Sequence, residues 1–291
     1  MINDCEQINT KNEENIILEA LRLSQYFFVC TSFLYLSTAA FFIITPALTY
    51  NSEKRELILQ SAFPFEAEKS PAFEIIFLIH SFTTFVGSFG NAFIDGLFIM
   101  MISHGCAKIE MVKEEIVRFS KIVSLSDERN VRKSATTNLV EMYQKTIEFT
   151  QKIEYIYSYQ LLVQVILSIL EICATGFTFI TVTQDNDLGR VDVTKLMKFM
   201  VIFMAGLWVT GVYCSGGDYL RNKNESVQRE IYSCKWYEMR AADCKSIWII
   251  MIRSQRPITI TAGKFINMTL DSYTKILKSS ISCLSLLRAI N

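Results

Sequence analysis

The chain has 291 residues, of which 51% are apolar and 20% are charged. A soluble domain of this length usually carries more charge, so the composition argues against a soluble protein. Basic and acidic side chains cancel at 29 each, and this balance indicates no nucleic-acid partner.

Five segments are long and apolar enough to cross a bilayer, which takes roughly 20 helical residues. They are residues 27–48, 75–102, 155–183, 199–217 and 258–290. The last is the least apolar, because it contains Lys264, Lys275 and Lys278. The pattern predicts an all-α fold, a polytopic membrane helical bundle with five transmembrane helices in a single domain of residues 1–291.

The two longest polar segments, residues 103–154 and 218–256, have helical patterns of their own. In the first, apolar residues recur at a spacing of three to four, namely Ile109, Val112, Ile116, Phe119 and Val123. The second contains bulky apolar side chains, among them Trp236. We predict long helices that extend the second and third spans into a cytoplasmic base, separated by a turn or loop at 124–138.

The orientation follows from the basic residues between the spans. Residues 103–154 hold nine lysines and arginines and residues 218–256 hold eight, whereas residues 49–73 and 184–198 hold three each. Because basic loops stay in the cytoplasm, we predict a multi-pass plasma-membrane protein with a cytoplasmic N-terminus and an extracellular C-terminus.

Signatures of enzymes are missing from the sequence. The chain has two histidines, no HExxH motif and no paired CxxC, so neither a metal site nor a cofactor is predicted. Two carboxylates, Asp95 and Glu171, fall inside predicted spans, where ionisable groups are rare. Each is open to two interpretations, a functional ion or ligand contact and a structural hydrogen bond between helices.

The C-terminal stretch resembles the C-terminal signature of the insect odorant receptors. The matching positions are Met251, Arg253, Ser254, Gln255, Pro257, then Thr261, Ala262, Gly263, Lys264, Phe265, and finally Leu286, Leu287 and Arg288. Residues 64–80 and 95–116 resemble the family's outer loop and the inner end of its fourth helix. The family has seven membrane helices, and the five predicted here correspond to its third to seventh.

The resemblance implies a tuning subunit of an odorant-gated non-selective cation channel. Such a subunit lies in the bilayer, binds a small volatile organic ligand and forms a hetero-tetramer with an obligate co-receptor. The last helix then lines a pore, where Lys278 is tolerable, and Leu286 and Ile290 form the gate. The apolar stripe Ile109, Val112, Ile116 and Phe119, together with Trp236, packs within and between subunits, although packing within one subunit alone explains it equally well.

The resemblance also places the ligand pocket between helices in the outer half of the bundle. The candidate ligand-binding residues are Phe41, Phe42, Phe77, His80, Ser81, Thr84, Phe199 and Phe203. Ordinary helix packing is the alternative for each of them. Two other readings of the whole chain stay open, a truncated non-conducting receptor fragment and a multi-pass transporter or scaffold.

Overall fold

The computed structural model describes residues 11–48, 57–58, 63–64, 70–125, 128–184, 193–234, 236–256 and 258–290. Within them the helices are α1 (Lys11–Leu48), α2 (Ala72–Leu125), α3 (Arg129–Gln184), α4 (Val193–Ser233), α5 (Ala241–Ser254) and α6 (Leu270–Ile290). A 3-10 turn, Trp236–Glu238, connects α4 to α5. A short antiparallel hairpin of β1 (Thr261–Ala262) and β2 (Ile266–Asn267) connects α5 to α6.

Four of these helices, α1 to α4, contain a stretch that is long and apolar enough to cross a membrane. Only 11% to 33% of each such stretch is buried inside the chain. Large apolar side chains therefore point outward, and Phe33, Leu78 and Phe82 are each about 70% exposed (74%, 68% and 71%). Exposure of so much apolar surface to water is unfavourable, whereas a bilayer accommodates it. The fold is therefore the all-α membrane bundle that the sequence predicts.

The predicted last span, 258–290, is helical only from Leu270 onward. Residues before that point form the β1–β2 hairpin, and the expectation of one span across 258–290 is corrected accordingly. The cause is local: Gly263 and Lys264 have φ angles of 60° and 64°, which suit the turn of a hairpin and exclude a right-handed helix. The 21 residues of α6 still reach about 30 Å at 1.5 Å per residue.

The turn expected at 124–138 is much shorter than its polar composition indicates. The α2 helix continues to Leu125 and α3 begins at Arg129. The first turns of α3 are helical because they pack: Ala135 and Leu139 are buried, and Arg132 forms a 3.3 Å ion pair with Asp243 of α5. Arg132 thus points to a partner helix, while its charged neighbours Arg129 and Lys133 are exposed.

Contacts along the chain divide it into two compact units. Unit one comprises Met1–Gln25, Phe98–Val165 and Gly211–Thr274, and it contains the segments predicted as the cytoplasmic base. Its core is aromatic and aliphatic: the Phe98 ring lies 5.1 Å from the Tyr157 ring and 4.9 Å from the Tyr213 ring. Polar contacts add to this core, as Lys223 of α4 donates to Glu110 of α2 over 3.0 Å.

Unit two comprises Tyr26–Leu97, Ile166–Thr210 and Lys275–Asn291. It holds most of the apolar stretch of α1, α2, α3 and α4, together with most of α6. Close packing in it depends on small residues, since a Cβ atom at Gly96 would overlap the ring of Phe28. Unit two is therefore the part of the chain in which a ligand site within the bilayer has to be sought.

Candidate functional site

A cavity of about 260 Å³ lies inside unit two between α3, α4 and α6. Its lining residues are Ile172, Thr175, Gly176, Phe199, Met200, Phe203, Ser280, Ile281 and Leu284. Two of them are hydroxyl residues, and both donate to their own helix: Thr175 to the Glu171 carbonyl oxygen (2.7 Å) and Ser280 to the Ile276 carbonyl oxygen (3.0 Å). The cavity consequently suits a small, mostly apolar molecule, with at most weak polar selection.

Where α3 and α6 line the cavity, they approach each other closely at a glycine, Gly176. A Cβ atom at Gly176 would lie 2.9 Å from Cδ2 of Leu284, so a larger residue would force the Leu284 side chain to move. Nearby, the Cys173 thiol donates to the carbonyl oxygen of Ser280 over 3.4 Å. From the Cys173 contact to the Gly176 contact, the residue number rises on both helices, from 173 to 176 on α3 and from 280 to 284 on α6. The helices α3 and α6 therefore run parallel here.

The two sides of α6 differ in exposure. On one side Ser272, Ile276 and Ser280 are buried at successive turns. On the other side an exposed set recurs at three- and four-residue spacing, and we call it the hydrophilic stripe: Asp271, Lys275, Lys278, Ser282 and Ser285. A helix with this division contacts protein on one side and a polar medium on the other.

The two intramembrane carboxylates occupy different surroundings in unit two. Asp95 is 7% exposed and accepts a hydrogen bond of 2.7 Å from the hydroxyl of Tyr35 on α1. This contact favours the structural interpretation for Asp95. The carboxylate of Glu171 lies against α4, where a Cβ atom at Gly206 would come within 3.0 Å of it. Glu171 therefore depends on a glycine for its space.

The structure brings two of the eight candidate ligand residues to this cavity, Phe199 and Phe203. The other six lie elsewhere in unit two and do not line it. Phe41 and Phe42 meet edge to face on α1 with ring centres 6.2 Å apart. On α2, His80 lies 6.4 Å from the ring of Phe63, and the remaining three, Phe77, Ser81 and Thr84, are half-buried. A ligand role for these six stays a prediction.

The gate and assembly candidates fall in contrasting positions. Leu286 is 61% exposed and Lys278 is exposed, while the side chain of Ile290 lies outside the described part of the chain. The stripe Ile109, Val112, Ile116 and Phe119 is at most 1% exposed. This burial supports packing within one chain, and packing between subunits stays a prediction. Trp236 stays partly accessible, with its ring 6.5 Å from that of Trp248.

Sequence reasoning missed the α3 and α6 walls of the cavity. Ile172, Thr175 and Ser280 look like ordinary residues of apolar helices, and nothing in their spacing marks them. Gly176 offered the one usable signal, because a glycine inside a membrane helix often marks a close helix contact. Which helix makes that contact depends on the tertiary structure.

Comparisons with known proteins agree with this architecture. Odorant receptor 13a of Drosophila melanogaster is 23% identical over 97% of this chain and 70% of its own length. Odorant receptor 82a of the same species is 23% identical over 81% of this chain and 58% of its own length. Odorant receptor 10 of Aedes albopictus is 22% identical over 76% and 57%. The chain thus spans 57% to 70% of the length of these relatives.

The fold is similar to that of the insect olfactory receptor OR5 from Machilis hrabei. The structure of that receptor in complex with eugenol matches with a TM-score of 0.79 at 14% identity, covering 96% of this chain and 70% of the receptor. A family model described as 7tm Odorant receptor matches residues 2–281. These relatives are receptors and not enzymes. The match to the family model covers nearly the whole sequence, and the chain belongs to the odorant receptor family.

Proposed function

We propose that this chain is the odorant-binding subunit of a ligand-gated, non-selective cation channel. It acts with an obligate co-receptor in a hetero-tetramer in the plasma membrane. Its N-terminus is cytoplasmic and its C-terminus extracellular, as the distribution of basic residues indicates. One observation carries the proposal: α6 borders the ligand-sized cavity on one side and presents the hydrophilic stripe on the other.

The cavity supports the binding half of the proposal. At about 260 Å³ it is smaller than the sites that hold drug-sized molecules, about 300–1,000 Å³. Its aromatic and aliphatic walls bind by apolar contact, which suits a volatile organic compound. The OR5 receptor of Machilis hrabei has been solved with such a compound, eugenol.

The hydrophilic stripe supports the channel half. Lysines and serines along an exposed side of α6 are costly against lipid and acceptable against a water-filled pore. When four subunits place these sides around one axis, the stripe lines the pore and Leu286 lies at its outer end. A ligand between α3, α4 and α6 then touches the wall of the pore directly.

Phe203→Ala tests the site. With the co-receptor co-expressed, we expect the odorant concentration for half-maximal current to rise about tenfold, since the half-buried Phe203 ring lines the cavity and the loss of about 1.4 kcal/mol of apolar contact with the ligand weakens binding tenfold. Whole-cell currents to a panel of volatile compounds provide the measurement, with surface labelling to normalise expression.

Phe82→Ala is the matched control, because Phe82 is 71% exposed on α2 and outside the cavity. Its dose–response curve should coincide with that of the unmodified chain. Equal shifts in both variants would reject the cavity as the odorant site. A chain that reaches the surface with its co-receptor and passes no odorant-evoked current would reject the channel and favour the non-conducting alternative.

A further inference from the structure

Two free cysteines lie on adjacent helices beside the cavity. Cys173 of α3 is 4% exposed, whereas Cys283 of α6 is exposed. The Cys173 thiol donates to the carbonyl oxygen of Ser280, one turn before Cys283 on α6 (3.4 Å). The contact thus joins two helices that are more than 100 residues apart in sequence.

The packing of α3 on α6 holds Cys173 against the turn of α6 that carries Cys283. One turn along both helices, Gly176 admits Leu284 so closely that an added Cβ atom would lie 2.9 Å from its Cδ2 atom. Parallel helices in this register bring side chains at equivalent heights into contact. A disulfide needs Cβ atoms about 3.5–4.5 Å apart, which such a close helix pair can supply without unfolding.

We propose that Cys173 and Cys283 form a reversible disulfide that fastens α6 to α3. The oxidant is a hydroperoxide. The exposed Cys283 thiol reacts first and becomes a sulfenic acid as the peroxide is reduced to an alcohol or water. The sulfur of Cys173 then attacks that of Cys283, the S–S bond forms, and water leaves with the thiol proton. A dithiol reductant reverses the bond by thiol–disulfide exchange.

The position of the bond gives it a consequence for gating, which rests on the proposed channel function. Cys283 follows Ile276 by seven residues and Ser280 by three, so it lies on the side of α6 that packs against α3. Opening requires α6 to move relative to its neighbours, and a covalent link to α3 opposes that movement. The oxidised chain should therefore bind odorant but conduct less.

The bond itself is tested without any current. The full-length chain, in membranes from expressing cells, is treated with hydrogen peroxide, alkylated with N-ethylmaleimide and digested with trypsin. Cleavage after Lys152, Arg190, Lys278 and Arg288 yields one peptide containing Cys173 and another containing Cys283. We expect mass spectrometry to find these two peptides linked after oxidation and separate after dithiothreitol.

Controls separate this pair from general oxidation. The linked peptide should vanish in Cys173→Ser and in Cys283→Ser, and the buried Cys106 of α2 should stay alkylatable only after denaturation. Separate alkylation of both cysteines after peroxide, or Cys283 linked only to a second copy of itself, would overturn the proposal.

Currents then test the gating half. With the co-receptor present, peroxide should reduce the odorant response of the unmodified chain, dithiothreitol should restore it, and Cys283→Ser should be insensitive. A linked peptide accompanied by an unchanged current would overturn the claim that the bond holds α6. If the untreated chain passes no odorant-evoked current at all, the channel proposal fails while the peptide result still stands.

Discussion

Asp95 shows how a single residue constrains a membrane helix. A carboxylate that is 7% exposed among apolar side chains would be costly if its oxygens had no donors. The hydroxyl of Tyr35 supplies one donor at 2.7 Å and thereby links α1 to α2. Hydrogen bonds to charged groups contribute more than neutral ones, about 1.5–3 kcal/mol. The hydrogen bond between Tyr35 and Asp95 should therefore stabilise the protein more than a hydrogen bond between two neutral groups would.

Removing the hydroxyl should destabilise the protein. We expect Tyr35→Phe to cost about 1–3 kcal/mol, because it leaves the buried carboxylate short of a donor. Thermal unfolding of the purified chain in detergent provides the measurement, as a lower Tm. In an Asp95→Asn background the same change should cost less, since a neutral amide suffers less from losing its partner.

Tyr159→Phe serves as the comparison for this pair. Tyr159 is 75% exposed on α3, so the loss of its hydroxyl should leave Tm unchanged. If Tyr35→Phe behaves like Tyr159→Phe, the hydrogen bond to Asp95 contributes nothing to stability.

At the scale of elements, the β1–β2 hairpin determines where α6 begins. Its turn is hydrogen-bonded to α3, since the Gly263 amide donates to the carbonyl oxygen of Ser158 over 2.8 Å. Its first strand is fastened there too, through the Thr261 hydroxyl and the Glu154 carboxylate at 2.7 Å. On the other side α4 approaches at Gly217, where a Cβ atom would lie 2.9 Å from Cβ of Met268 and closer still to its carbonyl oxygen.

Gly217→Ala should disturb this junction. The added methyl group meets backbone, which cannot move aside as a side chain can, so α4 or the hairpin must shift. Overpacking of this kind typically costs about 1–3 kcal/mol. We expect a lower Tm and reduced surface expression.

The adjacent glycine provides a matched control. At Gly216 the added Cβ atom would lie 3.4 Å from the edge of the Phe98 ring, which is ordinary contact. Gly216→Ala should therefore be tolerated. Equal losses in the two variants would mean that helix propensity or general crowding in α4, and not the Met268 contact, sets the outcome.

At the scale of the whole molecule, charge on α6 should control ion passage in the assembled channel. Lys278→Glu replaces a positive charge in the hydrophilic stripe with a negative one. Because carboxylates in a pore attract cations, we expect a larger single-channel sodium conductance. The measurement is made on chains co-expressed with the co-receptor.

Lys245→Glu is the control for net charge, since Lys245 is exposed on α5 and outside the stripe. It should leave the conductance unchanged. If both variants alter the conductance equally, or neither does, Lys278 does not face the pore.

Some properties of the protein follow directly from the order of its residues. Hydropathy is additive along a chain, so runs of apolar residues predict α1 to α4 as membrane helices without knowledge of their neighbours. The run from Met251 to Arg288 matches a family motif and therefore identifies the family. The residues from Ile109 to Phe119 recur at a spacing of three to four within one segment, so the sequence alone predicts that they share one side of a helix.

Other properties needed the folded chain. The cavity is lined by residues of α3, α4 and α6, and its existence depends on how three distant helices meet. The same holds for the partner of Asp95 and for the hydrogen bond from Cys173 to Ser280. The hairpin before α6 required the positive φ angles at Gly263 and Lys264, which an apolar-run analysis does not detect. The summed hydropathy of a local segment predicts whether that segment enters the membrane, whereas contacts between distant segments decide where a ligand can bind.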